Sequence, residues 1–254
     1  MRWRFLDSGG LGGAEQMALD AGLMDRARAT GEAVLRVYEW SQPTLSFGRH
    51  ESVRDRFLPE ALERENVGAV RRPTGGRVLM HQREVTYSVT APAAEHERLK
   101  ESYARINAIL VAAIAKLGVD VAEAAATTTA RRPGGAACFA EPSAGELVVG
   151  GRKLVGSAQL RERGALLQHG SILIDDDQPR SAALAAEPMV PATPAATLRA
   201  CLGRAPSYKE IRDALHASLV DTEGEPARLE PSDADAFAAP HRERFASALW
   251  TWRR

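Results

Sequence analysis

Residues 146–174 decide the fold of this 254-residue chain, and they run ELVVGGRKLVGSAQLRERGALLQHGSILI. Three largely apolar runs are separated by two short segments that contain glycine, Gly150-Gly151 and Glu162-Arg163-Gly164. Glycine adopts the positive φ angles that tight hairpin turns require. The pattern therefore predicts successive antiparallel strands at Glu146–Val149, Lys153–Gln159 and Ala165–Ile174.

Helices and short strands alternate in the rest of the sequence. The clearest helix is Leu99–Leu117, where apolar residues recur every three or four positions and Gly118 follows as a stop signal. Other helices are predicted at Ala14–Arg28, Pro59–Glu65, 207–220 and 232–248, and other strands at Arg2–Leu6, Val34–Glu39, Thr44–Phe47, Ala69–Arg72, Val78–Met80 and Val85–Val89. Hairpins mixed with helices predict an α+β (α/β mixed) fold with a mixed, mainly antiparallel sheet flanked by helices. We expect one domain over residues 1–254, with core motifs at about 35–175 and a C-terminal helical segment at about 197–254.

The composition favours a globular protein with a full core, because 44% of the residues are hydrophobic. Lys plus Arg and Asp plus Glu both number 33, whereas nucleic-acid-binding proteins usually carry a basic surplus. The apolar runs are too short to span a bilayer, and the first residues lack the apolar core of a signal peptide. With only two cysteines, no disulfide framework is indicated. We therefore expect a cytoplasmic monomer that binds neither nucleic acid nor membranes.

A glycine turn flanked by arginines is the first candidate binding feature, Arg71-Arg72-Pro73-Thr74-Gly75-Gly76-Arg77. The glycines allow the backbone to approach a ligand closely, and the arginines supply hydrogen-bond donors. Such a turn can hold a phosphate, a carboxylate or a thioester carbonyl. A plain solvent-exposed turn explains the same residues equally well, and the spacing matches neither phosphate-loop nor dinucleotide motifs.

Lys153 and the strand that follows it form the second feature. A lysine directly after a Gly-Gly turn is usually solvated. Here the strand continues through Gly156, Ser157 and Ala158, which are poor strand formers. Small residues inside a strand often mark a place where a ligand lies against the sheet.

Cys138 is the third feature, and it lies beside a low-complexity stretch at residues 122–137 that we predict to be a mobile loop. Most single cysteines are inert and buried, but a thiolate near an ammonium group is a good nucleophile, and Lys153 follows 15 positions later. Cys201 lies at a predicted helix end and gives no indication of function.

Two histidines, His81 and His169, lie in or next to predicted strands. Either can be a core histidine whose hydrogen bonds are satisfied. Neither has a second histidine or a cysteine at metal-ligand spacing, so we expect no metal site. No serine lies in a Gly-x-Ser-x-Gly motif, which argues against an α/β-hydrolase.

Taken together, four segments resemble the biotin/lipoate protein ligase and transferase superfamily. They are Arg71–His81, Val85–Val89, Gly151–Gln159 and Leu167–Ser171, and the similarity runs in the expected order from about Leu35 to Ile174. The segment Cys138-Phe139-x-x-Pro142-Ser143, upstream of the lysine, is similar to the LipM-type octanoyltransferase branch in particular.

The resemblance implies a class II aminoacyl-tRNA synthetase/biotin ligase-like fold and a reaction in lipoate biosynthesis. An octanoyl group would pass from acyl carrier protein to a lysine of a lipoyl-domain protein such as the glycine cleavage H protein, with no cofactor. It implies that Cys138 is the nucleophile and that Lys153 lowers the cysteine's pKa. The implied binding residues are Arg72, Gly75, Gly76, His81, Gly156, Ser157, Ala158, Gln168, His169 and Gly170.

Three alternatives remain open at the level of sequence. The first is a lipoate ligase that uses ATP and Mg²⁺, although Arg77 stands where the ligases usually have a third glycine. The second is an amidotransferase that moves octanoate between two lipoyl domains. The third is a non-catalytic module that binds a lipoyl domain or a fatty acid.

Overall fold

The computed structural model describes residues 1–93, 97–125, 145–187 and 193–253. Cys138 and most of the predicted loop at 122–137 therefore lie outside the described residues. The described part of 122–137 corrects one expectation, because Ala122–Glu123 form a short strand that pairs with Leu147 and Val148.

An eight-stranded sheet forms the centre of the molecule, with strand order β11-β1-β2-β6-β10-β9-β8-β7. Its members are β1 (Arg2–Leu11), β2 (Glu32–Trp40), β6 (Glu84–Pro92), β7 (Ala122–Glu123), β8 (Leu147–Val149), β9 (Arg152–Glu162), β10 (Ala165–Leu173) and β11 (Ala227–Arg228). Only the pairs that involve β1 are parallel, and the others are antiparallel. The prediction of a mixed, mainly antiparallel sheet is confirmed.

A second, three-stranded sheet carries the arginine–glycine turn. It contains β3 (Thr44–Phe47), β4 (Gly68–Arg71) and β5 (Leu79–His81), with β3 in the middle. The turn thus connects β4 to β5, which both pair with the same strand. Its ends are held at a fixed separation by that shared neighbour.

The two hairpin turns of the 146–174 segment form as predicted. Gly150 and Gly151 have φ angles of +55° and +74°, and Arg163 and Gly164 have φ angles of +50° and +77°. Consecutive positive φ angles match the right-handed twist of the paired strands. The turns therefore fix the registers of β8, β9 and β10.

Nine helices flank the sheets in the described part of the chain. They are α1 (Gly13–Thr30), α2 (Pro59–Arg64), α3 (Leu99–Lys116), α4 (Gln178–Ala183), α5 (Leu198–Leu202), α6 (Tyr208–Glu223), α7 (Pro231–Ala238), α8 (Arg242–Ala246) and α9 (Ala248–Thr251). None of them is long and apolar enough to cross a membrane.

The two faces of the large sheet differ in chemistry. One face packs apolar side chains such as Val37, Tyr87 and Val89 against α3 and α6 in the largest hydrophobic cluster. The other face carries Arg36 and Ser88 toward α1, where both bind the buried Asp20. A polar interior on that side of the sheet is unusual for a core, because burying a charge is costly unless it is paired.

The C-terminal region corrects a second expectation, the single helix at 232–248. Pro240 lies in a 3₁₀ turn at Ala239–His241, directly after α7. Proline has no backbone N–H to donate and therefore interrupts a helical ladder. An extended Ser247 then separates α8 from α9. β1 also extends five residues beyond the predicted Arg2–Leu6, because it pairs with β2 along its whole length.

Candidate functional site

A cavity of about 650 Å³ lies where the two sheets and the beginning of α3 meet. A second cavity, lined by residues such as Leu58 and Arg180, is smaller, at about 340 Å³. The large sheet, the arginine–glycine turn and α3 each contribute to its wall. A volume of this size fits a drug-sized or acyl-chain ligand.

A single row of residues across four strands forms part of the cavity wall. Tyr38 on β2 pairs with Thr86 on β6, Thr86 with Ser171 on β10, and Ser171 with Gly156 on β9. All four residues line the cavity. Three strand spacings separate the two ends of the row, roughly 14 Å. This length can hold a medium-length acyl chain that lies across the strands.

Lys153 lies at the β9 side of the cavity and is buried. Its Nζ lies 2.7 Å from Oε1 of Glu146, and the two side chains are 1% and 6% exposed. The structure therefore does not give Lys153 the usual solvated position of a hairpin lysine. The hairpin turns Lys153 inward, and Glu146, directly before β8, supplies the opposite charge that permits its burial. Sequence reasoning did not identify Glu146.

The arginines of the glycine turn hold the turn itself in place. Arg72 lines the cavity, and its guanidinium donates to the carbonyl oxygens of Ser46, Gly75 and Arg77 at 2.7 to 3.1 Å. These bonds fix the conformation of the turn from inside. Arg72 thus has a structural role in the turn. Its role in ligand binding stays a prediction.

Arg71 is fully buried and faces away from the cavity, toward the C-terminal segment. Its Nε donates to the carbonyl of Thr251 at 3.0 Å, and the indole Nε1 of Trp250 donates to the Arg71 carbonyl at 2.8 Å. Arg71 also donates to the carbonyls of Gly48 and Glu51. Arg71 therefore does not line the cavity, whereas Arg72 and Arg77 do, and their role as donors to a ligand stays a prediction.

His81 lies in a buried polar cluster beside the turn. Its Nε2 lies 2.7 Å from Oγ of Ser46, its Nδ1 lies 3.1 Å from Oε1 of Glu84, and the indole of Trp40 stacks on its ring at 3.9 Å. Burial lowers the pKa of His81 below its usual value, against the opposing effect of Glu84. The imidazole is therefore neutral at pH 7 and can both donate and accept a hydrogen bond.

His169 connects the turn to the polar core. Its Nε2 lies 2.6 Å from Oγ1 of Thr74, and its Nδ1 lies 2.9 Å from Oδ2 of Asp20. Burial tends to raise the pKa of Asp20, but the hydrogen bond with His169 and the charge of Arg36 outweigh it, and the pKa is lowered. Asp20 is thus a carboxylate at neutral pH, and it orients the histidine that holds the turn.

Small residues keep the sheet open under the cavity. A Cβ added to Gly170 would lie 2.3 Å from the carbonyl oxygen of Gly156, so a larger residue would not fit without a backbone shift. Ser157 bonds to the hydroxyl of Tyr87 at 2.6 Å, and Gln168 donates to the same hydroxyl at 3.0 Å. Burial raises the pKa of Tyr87 to about 12, so it remains a neutral phenol.

Most of the residues singled out in the sequence meet at this cavity. Ten line it: Arg72, Gly75, Gly76, His81, Lys153, Gly156, Ser157, Ala158, His169 and Gly170. Gln168 lies behind it, and Cys138 lies outside the described residues, as does its distance to Lys153. The exposed Cys201 lies in α5, away from the cavity. Within the described ranges, no group of His, Cys, Asp and Glu is arranged to hold a metal ion. The roles of these residues remain predictions.

Comparison with known proteins adds to this geometry. The family model of the lipoyl protein ligase A/B catalytic domain matches residues 13–220, which include every described residue of the cavity. The chain belongs to this family. The predicted resemblance is confirmed, and Asp20, Glu146 and Lys153 all lie within the matched region.

Similar sequences are octanoyltransferases named LipM. The protein from Kyrpidia tusciae is 37% identical over 99% of both chains. The protein from Symbiobacterium thermophilum is 40% identical over 85% of both chains. The protein from Bacillus subtilis is 40% identical over 69% of this chain and 66% of its own. The predicted enzyme class, an acyltransferase, is therefore confirmed.

Solved structures of lipoate ligases share the fold. A lipoate-protein ligase A bound with ATP superposes with a TM-score of 0.80 at 17% identity, over 99% of both chains. The bipartite lipoate protein ligase of Thermoplasma acidophilum gives a TM-score of 0.75 at 18% identity, over 99% of this chain and 96% of that one. The predicted fold class is therefore confirmed.

Proposed function

We propose that this protein transfers an octanoyl group from acyl carrier protein to a lysine of a lipoyl-domain protein, in lipoate biosynthesis. The observation that carries the proposal is the buried Lys153–Glu146 pair in the wall of the cavity. A buried ammonium beside an apolar chain site suits a reaction in which negative charge develops on sulfur and on a carbonyl oxygen. The relatives named octanoyltransferase support the choice of acyl group.

In the proposed reaction, Cys138 is the nucleophile. Its thiolate attacks the carbonyl of the octanoyl thioester, the bond from the carbonyl to the carrier sulfur breaks, and the carrier thiolate takes up a proton. The amine of the acceptor lysine then attacks the enzyme thioester, forms an amide and loses a proton, and the Cys138 thiolate is released. Two easier steps replace one difficult step.

Lys153 supports both steps through its charge. An ammonium near the thiol stabilises the thiolate and thereby lowers the pKa of Cys138, and the same charge attracts the oxyanion that forms on the acyl carbonyl. Glu146 keeps the ammonium in one position. The turn residues Arg72, Gly75 and Gly76, with His81, form the mouth of the acyl site in this proposal.

The proposal includes no cofactor, because a thioester is already an activated acyl donor and needs no ATP. The acceptor is a lipoyl-domain protein such as the glycine cleavage H protein. We propose that the enzyme acts as a monomer in the cytoplasm, where thiols remain reduced. An ATP-dependent ligase and an amidotransferase between lipoyl domains are the alternatives.

Intact-mass measurement after mixing the protein with octanoyl-acyl carrier protein, without ATP, tests the proposal. We expect one added octanoyl group that hydroxylamine removes and that is absent from Cys138→Ala. Absence of the adduct, together with activation of free lipoate when ATP is present, would identify a ligase. An adduct formed from an octanoylated lipoyl domain, and not from the carrier, would identify the amidotransferase.

Replacing Lys153 tests its proposed charge effect. In Lys153→Ala we expect a slower formation of the thioester and a higher pH midpoint for alkylation of Cys138 by iodoacetamide. Cys201→Ser is the matched control, since Cys201 is an exposed thiol that also reacts. An alkylation profile that is identical in wild type and Lys153→Ala would contradict the role.

A further inference from the structure

The wall of the cavity on the α3 side contains a stripe of residues that the proposed acyl site does not use. Lys100, Tyr103 and Ala104 line the cavity from the first turns of α3. Asn107 continues the stripe, because residues separated by three, four and seven positions share one helix face. The stripe thus runs from the open end of α3 toward the interior.

The inner end of this stripe lies beside Lys153. Nδ2 of Asn107 donates to the carbonyl of Gly145 at 2.6 Å, and the next residue, Glu146, pairs with Lys153. Lys100 lies seven residues before Asn107, which corresponds to roughly 10 Å along the helix axis. A long lysine side chain extends this distance further toward solvent.

The outer end of the stripe is exposed and positively charged. Leu99 is 57% exposed, an unusual exposure for a large apolar residue next to a cavity. Lys100 is also exposed, and within the described ranges it forms neither an ion pair nor a hydrogen bond. The Glu101 carboxylate in the first turn already accepts a hydrogen bond from the backbone N–H of Arg98, so the positive charge at this end comes from Lys100 and not from the helix itself. This end of the cavity therefore favours an anionic group with apolar surroundings.

The adjoining β9 wall offers a buried acceptor atom that has no hydrogen-bond partner among the described residues. The Gln159 side chain lines the cavity and donates from Nε2 to Gln168 and Ser102, but its Oε1 has no hydrogen-bond partner in the described structure. A buried amide oxygen without a donor is costly, so a ligand N–H at this point would be stabilising.

We infer that this groove binds the phosphopantetheine arm of the acyl donor, with its phosphate at Lys100 and an amide N–H at Oε1 of Gln159. The arm between thioester sulfur and phosphate is about as long as four to five extended residues, roughly 15 Å, and it carries two amides and one phosphate. Its length and chemistry match the stripe from Lys153 to Lys100. The inference rests on the proposed function and assigns the donor side of that same cavity.

Two small thioester donors that differ only in the phosphate test the inference. They are octanoyl-phosphopantetheine and octanoyl-pantetheine, compared by kcat/KM with one lipoyl-domain acceptor at low ionic strength. We expect wild type to prefer the phosphorylated donor by about two- to fivefold, the range for an exposed ion pair. In Lys100→Met this preference disappears, whereas Lys100→Arg retains it. Lys116→Met, at the other end of α3, is the matched control and keeps the wild-type preference.

Three other outcomes of this comparison would overturn the inference, and each has a different meaning. A wild type that uses both donors equally refutes the phosphate site while the proposed function stands. A Lys100→Met protein that loses only affinity for the acceptor assigns this lysine to the acceptor and not to the donor. Absence of transfer from every thioester donor refutes the proposed function itself, and the inference with it.

Gln159→Leu tests the proposed amide contact. We expect it to lower kcat/KM for both donors alike, and an unchanged value would contradict that contact.

Discussion

Replacing Asp20 with alanine tests the polar core on which the site is built. The carboxylate accepts hydrogen bonds from Arg36 at 2.8 Å and Ser88 at 2.7 Å, and it contacts His169 at 2.9 Å. The side chains of Asp20 and Arg36 are both 0% exposed. Asp20→Ala therefore leaves a guanidinium buried without its opposite charge, and it also releases the histidine that holds Thr74.

The expected cost follows from burial. Removing one partner of a buried ion pair typically destabilises a protein by about 3–5 kcal/mol. For a chain of this length, 1 kcal/mol corresponds to about 2–4 °C in the melting temperature. We therefore expect Asp20→Ala to melt roughly 6–20 °C below wild type. Asp20→Asn keeps the side-chain volume but removes the charge, so it separates the effect of the charge from that of a cavity.

Thermal denaturation followed by circular dichroism is the assay. The control is Asp213→Ala, which removes an exposed carboxylate paired with Lys209 and Arg212 and should cost at most about 1 kcal/mol. Because the pKa of Asp20 is lowered in the folded state, its stabilisation is complete above the unfolded value near pH 4 and is lost as the pH falls further. Melting curves of Asp20→Ala and Asp213→Ala that coincide at pH 7 would refute the reasoning.

Three further predictions concern the cavity. Gly170→Ala should lower the melting temperature, because the new Cβ would lie 2.3 Å from a backbone oxygen of the neighbouring strand, whereas Gly12→Ala has no atom within 4 Å and should change it little. Because the buried neutral His81 resists protonation, we expect wild type to lose stability in urea unfolding below about pH 6.5 and His81→Gln to lose less; an unchanged pH dependence would contradict this. Met17→Ala should raise the decanoyl-to-octanoyl ratio of kcat/KM, because Met17 is buried in the cavity wall, whereas Leu19→Ala, equally part of the core but away from the cavity, should not.

Local sequence signals predicted the antiparallel part of the fold well. The apolar spacing gave α3 to within one residue, and the glycine turns gave the β8–β9–β10 hairpins. These elements depend on contacts between neighbours in the chain. The full length of β1 was missed, because it depends on parallel pairing with β2, a partner that is distant in the sequence. The helix break at Pro240 was missed, because it depends on a single residue that lacks a backbone N–H.

The site was predicted only in part, for a related reason. Small residues in a strand and a glycine turn indicate a binding surface by themselves, and they do line the cavity. By contrast, local sequence patterns do not identify the charged residues that hold the site in place. Asp20 looks like an ordinary helix residue, and Glu146 like a strand boundary, until the fold brings them to His169 and Lys153.

The bonds between Arg71 and the segment that contains Trp250 and Thr251 have a consequence for synthesis on the ribosome. Arg71 and Thr251 are 180 residues apart in the chain. At about 5–20 residues per second, roughly ten to forty seconds separate their emergence. A nascent chain therefore carries the glycine turn without its outer clamp for most of translation. The glycine turn therefore gains its last backbone contacts only after the rest of the domain has been made.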